Sequence, residues 1–185
     1  MQLNKQEKRK MIQLAAALSG EWTALLCAFF YRNICQGTVP AVLLVFGFFS
    51  VVTAASVNDL KCQKISDWLC GLILGITITA VFLMPEIASV ERMKGMVVIG
   101  SLMLAATWIL PGVFGGGDIK LMAVCGGFLG WDMIRNAFVA AVIAAAGVSL
   151  LLLAKEGGRR RGIAMAPFFE LGMAVSFLEN LIEKI

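Results

Sequence analysis

Two aspartates are the residues of this chain whose type and spacing could do chemistry. Asp59 follows an uncharged stretch at 33–58, and Asp118 follows another at 95–117. Two carboxyl groups brought close together share a proton, because like charges a few ångströms apart cannot both ionise cheaply. One group can then act as a base on water while the other donates a proton to a carbonyl oxygen. Such a pair could hydrolyse an amide bond.

The composition excludes several other kinds of catalytic site. The 185 residues contain no histidine, which removes every Ser-His-Asp or Cys-His centre and the HExxH zinc site. The five cysteines include no CxxC pair, and their spacing matches no usual zinc motif. We therefore predict no metal site and no cofactor, and chemistry that depends on carboxylates, Lys, Ser or Cys.

The elements that must position the two aspartates have the composition of membrane helices. Hydrophobic residues make up 59% and charged residues 15% of the chain, whereas a soluble domain has about 45–50% and about 25%. A helix that crosses a bilayer needs about 20 mostly apolar residues. We predict an all-α fold, a polytopic transmembrane helical bundle of six or seven spans that forms a single domain over residues 1–185. The clean spans are 33–58, 68–85, 95–117 and 136–154, and the weaker ones are 11–31, 121–131 and 162–182.

The distribution of Lys and Arg predicts how the bundle is oriented. With the N-terminus inside, eleven of the sixteen basic residues fall on the cytoplasmic side, including the basic loop at 155–162. The chain is thus predicted to lie in the cytoplasmic (inner) membrane with a cytoplasmic N-terminus. The same asymmetry explains the net charge of +4 without a nucleic-acid partner. A cleaved signal peptide at 1–20 is the rival interpretation of the first segment, and whether 11–31 spans the membrane is left open.

In this orientation both aspartates emerge at the cytoplasmic face, because both uncharged stretches run from outside to inside. A glycine-rich motif precedes the second of them. The residues Gly115, Gly116, Gly117 and Asp118 fit the pattern GxGD, and Lys120 extends it. Residues without a Cβ let a backbone or a substrate strand come close. The alternative is that these glycines form a flexible break between short helices.

Together these motifs resemble those of the type IV prepilin peptidases, membrane aspartyl proteases that remove the short basic leader of type IV pilins and related pseudopilins. The family pattern is an Asp, an Ile-Pro-Asn-like step six to eight residues later, and then GxGDxK. Asp59, Ile65 and Asp67 fit the first part. The resemblance covers about residues 41–175, and it is carried by SVNDLKCQKISD (56–67), PGVFGGGDIKLMAVCGGFLG (111–130) and IAMAPFFELG (163–172).

The resemblance implies a membrane aspartyl endopeptidase with Asp59 and Asp118 as the catalytic residues. Gly115, Gly117 and Lys120 would support the motif. The implied partners are type IV prepilin or pseudopilin precursors and membrane lipid, with the leader cut at the cytoplasmic face, and the oligomeric state is left open. The chain has no cysteine-rich insert of the kind that larger members carry, so it is similar to the short, peptidase-only form.

Some residues depart from the family pattern or have a second interpretation. Ser66 stands where the family usually has Pro, and Glu170 occupies a usually apolar place, where it could pair with Lys120. Asp67 is expected to cap the helix that begins at residue 68. It is also the alternative first catalytic acid.

Two rival functions are alternatives to the peptidase. A presenilin-like protease would need a Tyr-Asp pair, but the single tyrosine, Tyr31, is followed by Arg32. A non-catalytic transporter or pilus-assembly subunit could use the same acids for protons or ions. Acids at the membrane edge, with none in the middle of the second and fourth spans, argue against a transport site at the midplane.

Overall fold

The structure, a computed structural model, describes residues 5–35, 38–156 and 164–183, and every regular element within these ranges is an α-helix. The first four residues and most of the basic loop at 155–162 lie outside the described residues. The helices are α1 (Lys5–Cys35), α2 (Val39–Cys62), α3 (Asp67–Leu83), α4 (Ser89–Ile109), α5 (Gly116–Leu129), α6 (Trp131–Glu156) and α7 (Ala166–Ile182).

Each of the seven predicted segments corresponds to a helix, so the all-α prediction is confirmed. Three helices are long and apolar enough to cross a membrane among the described residues: α2, α4 and α6 as far as Leu150. Helix α3 is a shorter apolar helix of 17 residues. The number of crossings, six or seven, stays a prediction.

The helix boundaries differ from the predicted ones because charged residues do not mark helix ends. Helix α2 begins at Val39, with Pro in its first turn, where the missing N–H of Pro costs nothing. It continues through Asp59 and ends at Cys62, because Gln63 turns into the left-handed conformation with φ of 50°. Asp59 therefore lies inside the last turn of a helix.

Apolar side chains fill the bundle and also cover much of its outer surface. Inside, the rings of Phe48 and Phe128 stack with centroids 4.0 Å apart, which packs α2 against α5. Outside, Trp108 is 87% exposed and Phe82 is 79% exposed. Large apolar side chains on an outer surface are typical of helices that face lipid, which agrees with the membrane character of the chain.

Small residues bring α5 against α4. A Cβ on Gly95 would collide with the carbonyl group of Gly126, and a Cβ on Gly126 would collide with the backbone of Gly95. Small residues at such a crossing allow two helix backbones to approach closely. This crossing fixes the position of α5, and with it the glycine motif at its start.

A buried arginine joins the far ends of α3 and α5. Arg92 is 3% exposed, and its guanidinium donates hydrogen bonds to the carbonyls of Ala80, Met84, Gly127 and Phe128. The last carbonyls of a helix have no intrahelical partner and carry partial negative charge. Arg92, one of the five basic residues that the charge distribution predicts on the outer side, therefore caps the C-terminal ends of two helices.

Candidate active site where three helix ends meet

Asp59 is buried between the end of α2 and the start of α7. Its side chain is 6% exposed, and its Oδ2 accepts a hydrogen bond of 3.2 Å from the backbone N–H of Ala166. Ala166 is the first residue of α7, so its N–H has no partner within its own helix. A carboxylate at a helix N-terminus is also favoured by the helix dipole. Asp59 is therefore held in place by a helix that begins 107 residues later.

Asp118 lies in the first turn of α5. Its Oδ2 accepts a hydrogen bond of 3.1 Å from the backbone N–H of Gly115, the N-cap residue. Its Oδ1 is buried and has no hydrogen-bond partner among the described residues. One oxygen of this carboxyl group is thus fixed, and the other is left for a proton, water or substrate.

Asp59 and Asp118 occupy opposite kinds of helix end. Asp118 follows a long uncharged stretch, but α4 stops at Ile109 and a separate helix begins before the aspartate. The partial negative charge of a helix C-terminus therefore acts only on Asp59. Sequence counting missed the turn at 110–115 because that turn contains no charged residue.

The two carboxyl groups are close enough to influence each other electrostatically. Burial is the main cause that raises the pKa of Asp118 above its ordinary value. The hydrogen bond from Gly115 lowers this pKa, and the negative charge of Asp59 raises it. Asp59 therefore lies near enough to Asp118 for its charge to act on that carboxyl group.

The glycine motif forms the start of a helix, since Gly115 is the N-cap residue of α5 and Gly116 and Gly117 lie in its first turn. A Cβ on Gly117 would lie 3.0 Å from the Cβ of Ile65 and 3.4 Å from its backbone N. A Cβ on Gly116 would meet nothing within 4 Å, and one on Gly115 would lie 3.2 Å from Oδ2 of Asp118. Gly117 is therefore the position where the α2–α3 loop needs a residue without a side chain.

Lys120 forms an ion pair with Asp67. The two charged atoms are 2.8 Å apart, and both side chains are largely exposed. The hydrogen bond with Asp67 is the main cause that raises the pKa of Lys120.

Ser66 occupies the N-cap position of α3, but no side-chain cap hydrogen bond is formed, so the expectation that Asp67 caps this helix is wrong. Asp67 is thus the partner of a lysine at the exposed surface, whereas Asp59 is buried.

Glu170 does not pair with Lys120, contrary to one sequence-based interpretation. It is 6% exposed and accepts a hydrogen bond of 2.6 Å from the hydroxyl of Thr53 in α2.

The hydrogen bond from the N–H of Ala166 to Asp59 is not predicted from the sequence. The signal for it is Pro167, because Pro in a first turn marks the start of a helix, whose first N–H groups have no partner within the helix. Among the described residues there is no group of three or more His, Cys, Asp or Glu that could hold a metal ion.

A family model matches the part of the chain that contains both aspartates. The model is described as the type IV leader peptidase family, and it matches residues 44–150. The match includes the end of α2, the α2–α3 loop and the glycine motif, and it stops before α7. No curated protein and no solved structure matches the chain.

Proposed function

Because the chain belongs to the type IV leader peptidase family, we propose that it is an aspartic-type endopeptidase of the cytoplasmic membrane that removes the basic leader of type IV prepilin-like precursors. The family membership confirms the sequence-based resemblance and indicates a protease. The observation that supports the catalytic assignment is that Asp59 is near enough for its charge to act on Asp118, whose Oδ1 is buried and has no hydrogen-bond partner among the described residues.

The proposed reaction begins with one proton on the pair. Asp118 holds this proton, since burial and the charge of Asp59 raise its pKa. Asp59 is the base of the pair, and the N–H of Ala166 orients it. Asp59 removes a proton from water as the water oxygen bonds to the scissile carbonyl carbon, while Asp118 donates its proton to the carbonyl oxygen. The product of this step is a neutral gem-diol.

The second step breaks the peptide bond and restores the pair. Asp59 gives its proton to the leaving nitrogen, and Asp118 takes back a proton from one hydroxyl of the gem-diol. The C–N bond breaks, which leaves a carboxyl group on the leader and an amine on the mature chain. No covalent intermediate forms, and Asp59 and Asp118 return to their starting states.

The location of the pair suits a substrate that itself lies in the membrane. Asp59 is in the last turn of α2, and Asp118 is in the first turn of α5, so both acids lie at helix ends rather than at the middle of a span. The distribution of Lys and Arg places these ends at the cytoplasmic side in our proposal. A precursor helix could then pack on the apolar outer surface while its basic leader remains in water with the scissile bond.

The direct test is cleavage of a purified precursor by the reconstituted protein. The substrate joins a short basic leader to a hydrophobic helix, and the control substrate has the same leader on a helix interrupted by charged residues. We expect a single cut after the leader in the first substrate, identified by mass spectrometry, and at least a tenfold lower rate with the second, where a tenfold difference is about 1.4 kcal/mol. If membranes that contain the protein cut no basic-leader precursor, the non-catalytic transporter or assembly subunit replaces this proposal.

A further inference from the structure

Glu170 is a buried acid that the proposed reaction does not use. Its Oε1 accepts a hydrogen bond of 2.6 Å from Thr53, and the hydroxyl of Ser56 also bonds to its side chain. Helix α1 packs closely on this contact, because a Cβ on Gly20 would collide with the side chains of Thr53 and Glu170. Glu170 therefore lies where α1, α2 and α7 meet.

Among the described residues, no ion pair would neutralise a negative charge on the Glu170 carboxyl group. No ion pair in the described part of the chain includes it. The charge that acts on it from α1 is that of Glu21, another acid, and Asp59 lies farther along α2. A buried charge is normally paired with an opposite one, because moving an unpaired charge out of water costs much free energy. These surroundings favour the uncharged form of Glu170.

The contact with Thr53 does not require a charge on Glu170. The Thr53 hydroxyl donates to Oε1 of Glu170 at 2.6 Å, and it also lies 2.9 Å from the carbonyl oxygen of Phe49. An uncharged carboxyl group keeps a carbonyl oxygen, which accepts a hydrogen bond from a hydroxyl. The bond therefore joins α2 to α7 when Glu170 is uncharged.

This contact lies next to the one that holds Asp59. Thr53, Ser56 and Asp59 follow one another at intervals of three along α2, and all three are buried. Residues at this spacing lie on the same face of a helix. On α7, Glu170 comes four residues after Ala166, which is about one turn. The two helices are therefore joined twice, once by the Glu170 contacts and once by the bond between Ala166 and Asp59.

We propose that Glu170 is a positioning residue, which as an uncharged acid bonded to Thr53 holds the start of α7 against the end of α2, so that the N–H of Ala166 stays on the Asp59 carboxylate. Glu170 itself does not touch the reacting atoms. The inference rests on the proposed function in so far as Asp59 is catalytic. The protonation of Glu170 does not depend on that function and can be measured separately.

The kinetic test compares variants at the two ends of this contact. Glu170→Leu and Thr53→Val each remove the hydrogen bond, and we expect kcat to fall about ten- to a hundredfold because the carboxylate is misplaced. KM should change less than about twofold, because the substrate touches neither residue. Glu170→Gln and Thr53→Ser keep a neutral hydrogen-bonding group and should restore most of kcat.

A double variant distinguishes positioning from two separate effects. Glu170→Leu combined with Thr53→Val should be little worse than either change alone, since both remove one contact. An unchanged kcat in Glu170→Leu would overturn the proposal. If that variant does not accumulate, the same result in Thr53→Val would overturn it.

The spectroscopic test does not require cleavage. At neutral pH the infrared spectrum of the reconstituted protein should contain a protonated carboxyl band that disappears in Glu170→Gln and remains in the control Glu179→Gln. If the band is the same in Glu170→Gln as in the wild type, Glu170 is ionised and the proposal fails. If the band disappears in Glu170→Gln but the wild type cuts no precursor, Glu170 is uncharged as proposed, and the proposed function is wrong.

Discussion

Asp59→Asn and Asp118→Asn, each alone, are expected to lower the rate of precursor cleavage by about a hundred- to ten-thousandfold. An amide has nearly the shape of a carboxyl group but can neither take a proton from water nor give one to a carbonyl, and positioned acid–base groups contribute this much to a rate. The rate is measured as release of the leader by reconstituted protein, with each variant present at the same amount as the wild type.

The matched control is Asp132→Asn. Asp132 lies in the first turn of α6, beyond the far end of α5, and its side chain is 71% exposed. This variant should cut like the wild type. The variant that carries both Asp59→Asn and Asp118→Asn should be no slower than the slower single one, since the two groups act as a unit. Cleavage that persists in Asp59→Asn would remove this residue from the pair and make Asp67 the next residue to test.

Gly117→Ala is expected to lower kcat by about ten- to a hundredfold, whereas Gly116→Ala is expected to leave it within about twofold. The new Cβ at position 117 would lie 3.0 Å from the Cβ of Ile65, so the α2–α3 loop or the start of α5 must shift. That shift moves Asp118 relative to Asp59. At position 116 the added methyl group would meet nothing within 4 Å. The measurement is the kcat and KM of both variants at equal protein amounts.

This comparison separates the two glycines of one motif. The two variants carry the same substitution one residue apart in the same helical turn, so any general effect of alanine on helix α5 is shared. Equal activities for the two variants, whether both normal or both impaired, would contradict the role of close contact between Gly117 and Ile65.

The sequence predicted the class of fold well because hydrophobic segments of sufficient length are visible without any tertiary information. The positions of the helices followed from four uncharged stretches and from three weaker apolar segments, two of which contain glutamates. Their ends did not, since helix ends depend on local backbone geometry. Gln63 ends α2 by a left-handed turn, and the loop before Gly115 separates α4 from α5 although no charged residue marks it.

The sequence also predicted that Asp59 and Asp118 lie on one side of the bundle, because each follows an uncharged stretch that is predicted to run from outside to inside. It could not predict what holds them. The bond from Ala166 to Asp59 and the packing of Gly117 on Ile65 join segments that are distant in the chain. The partners of Lys120 and Glu170 were missed for the same reason, since packing decides which of several polar groups is within reach.

If Asp59 and Asp118 act on each other as one pair, the titration of Asp118 must depend on the charge of Asp59. The protonation of Asp118 is followed by NMR of ¹³C-labelled aspartate or by infrared spectroscopy, with Asp118→Asn used to assign the signal. Because the negative charge of Asp59 raises the pKa of Asp118, Asp59→Asn should lower that pKa towards its ordinary value. In the wild type, cleavage should be lost as the pH rises through the pKa of Asp118. A pKa of Asp118 that is the same in the wild type and in Asp59→Asn would contradict the pair.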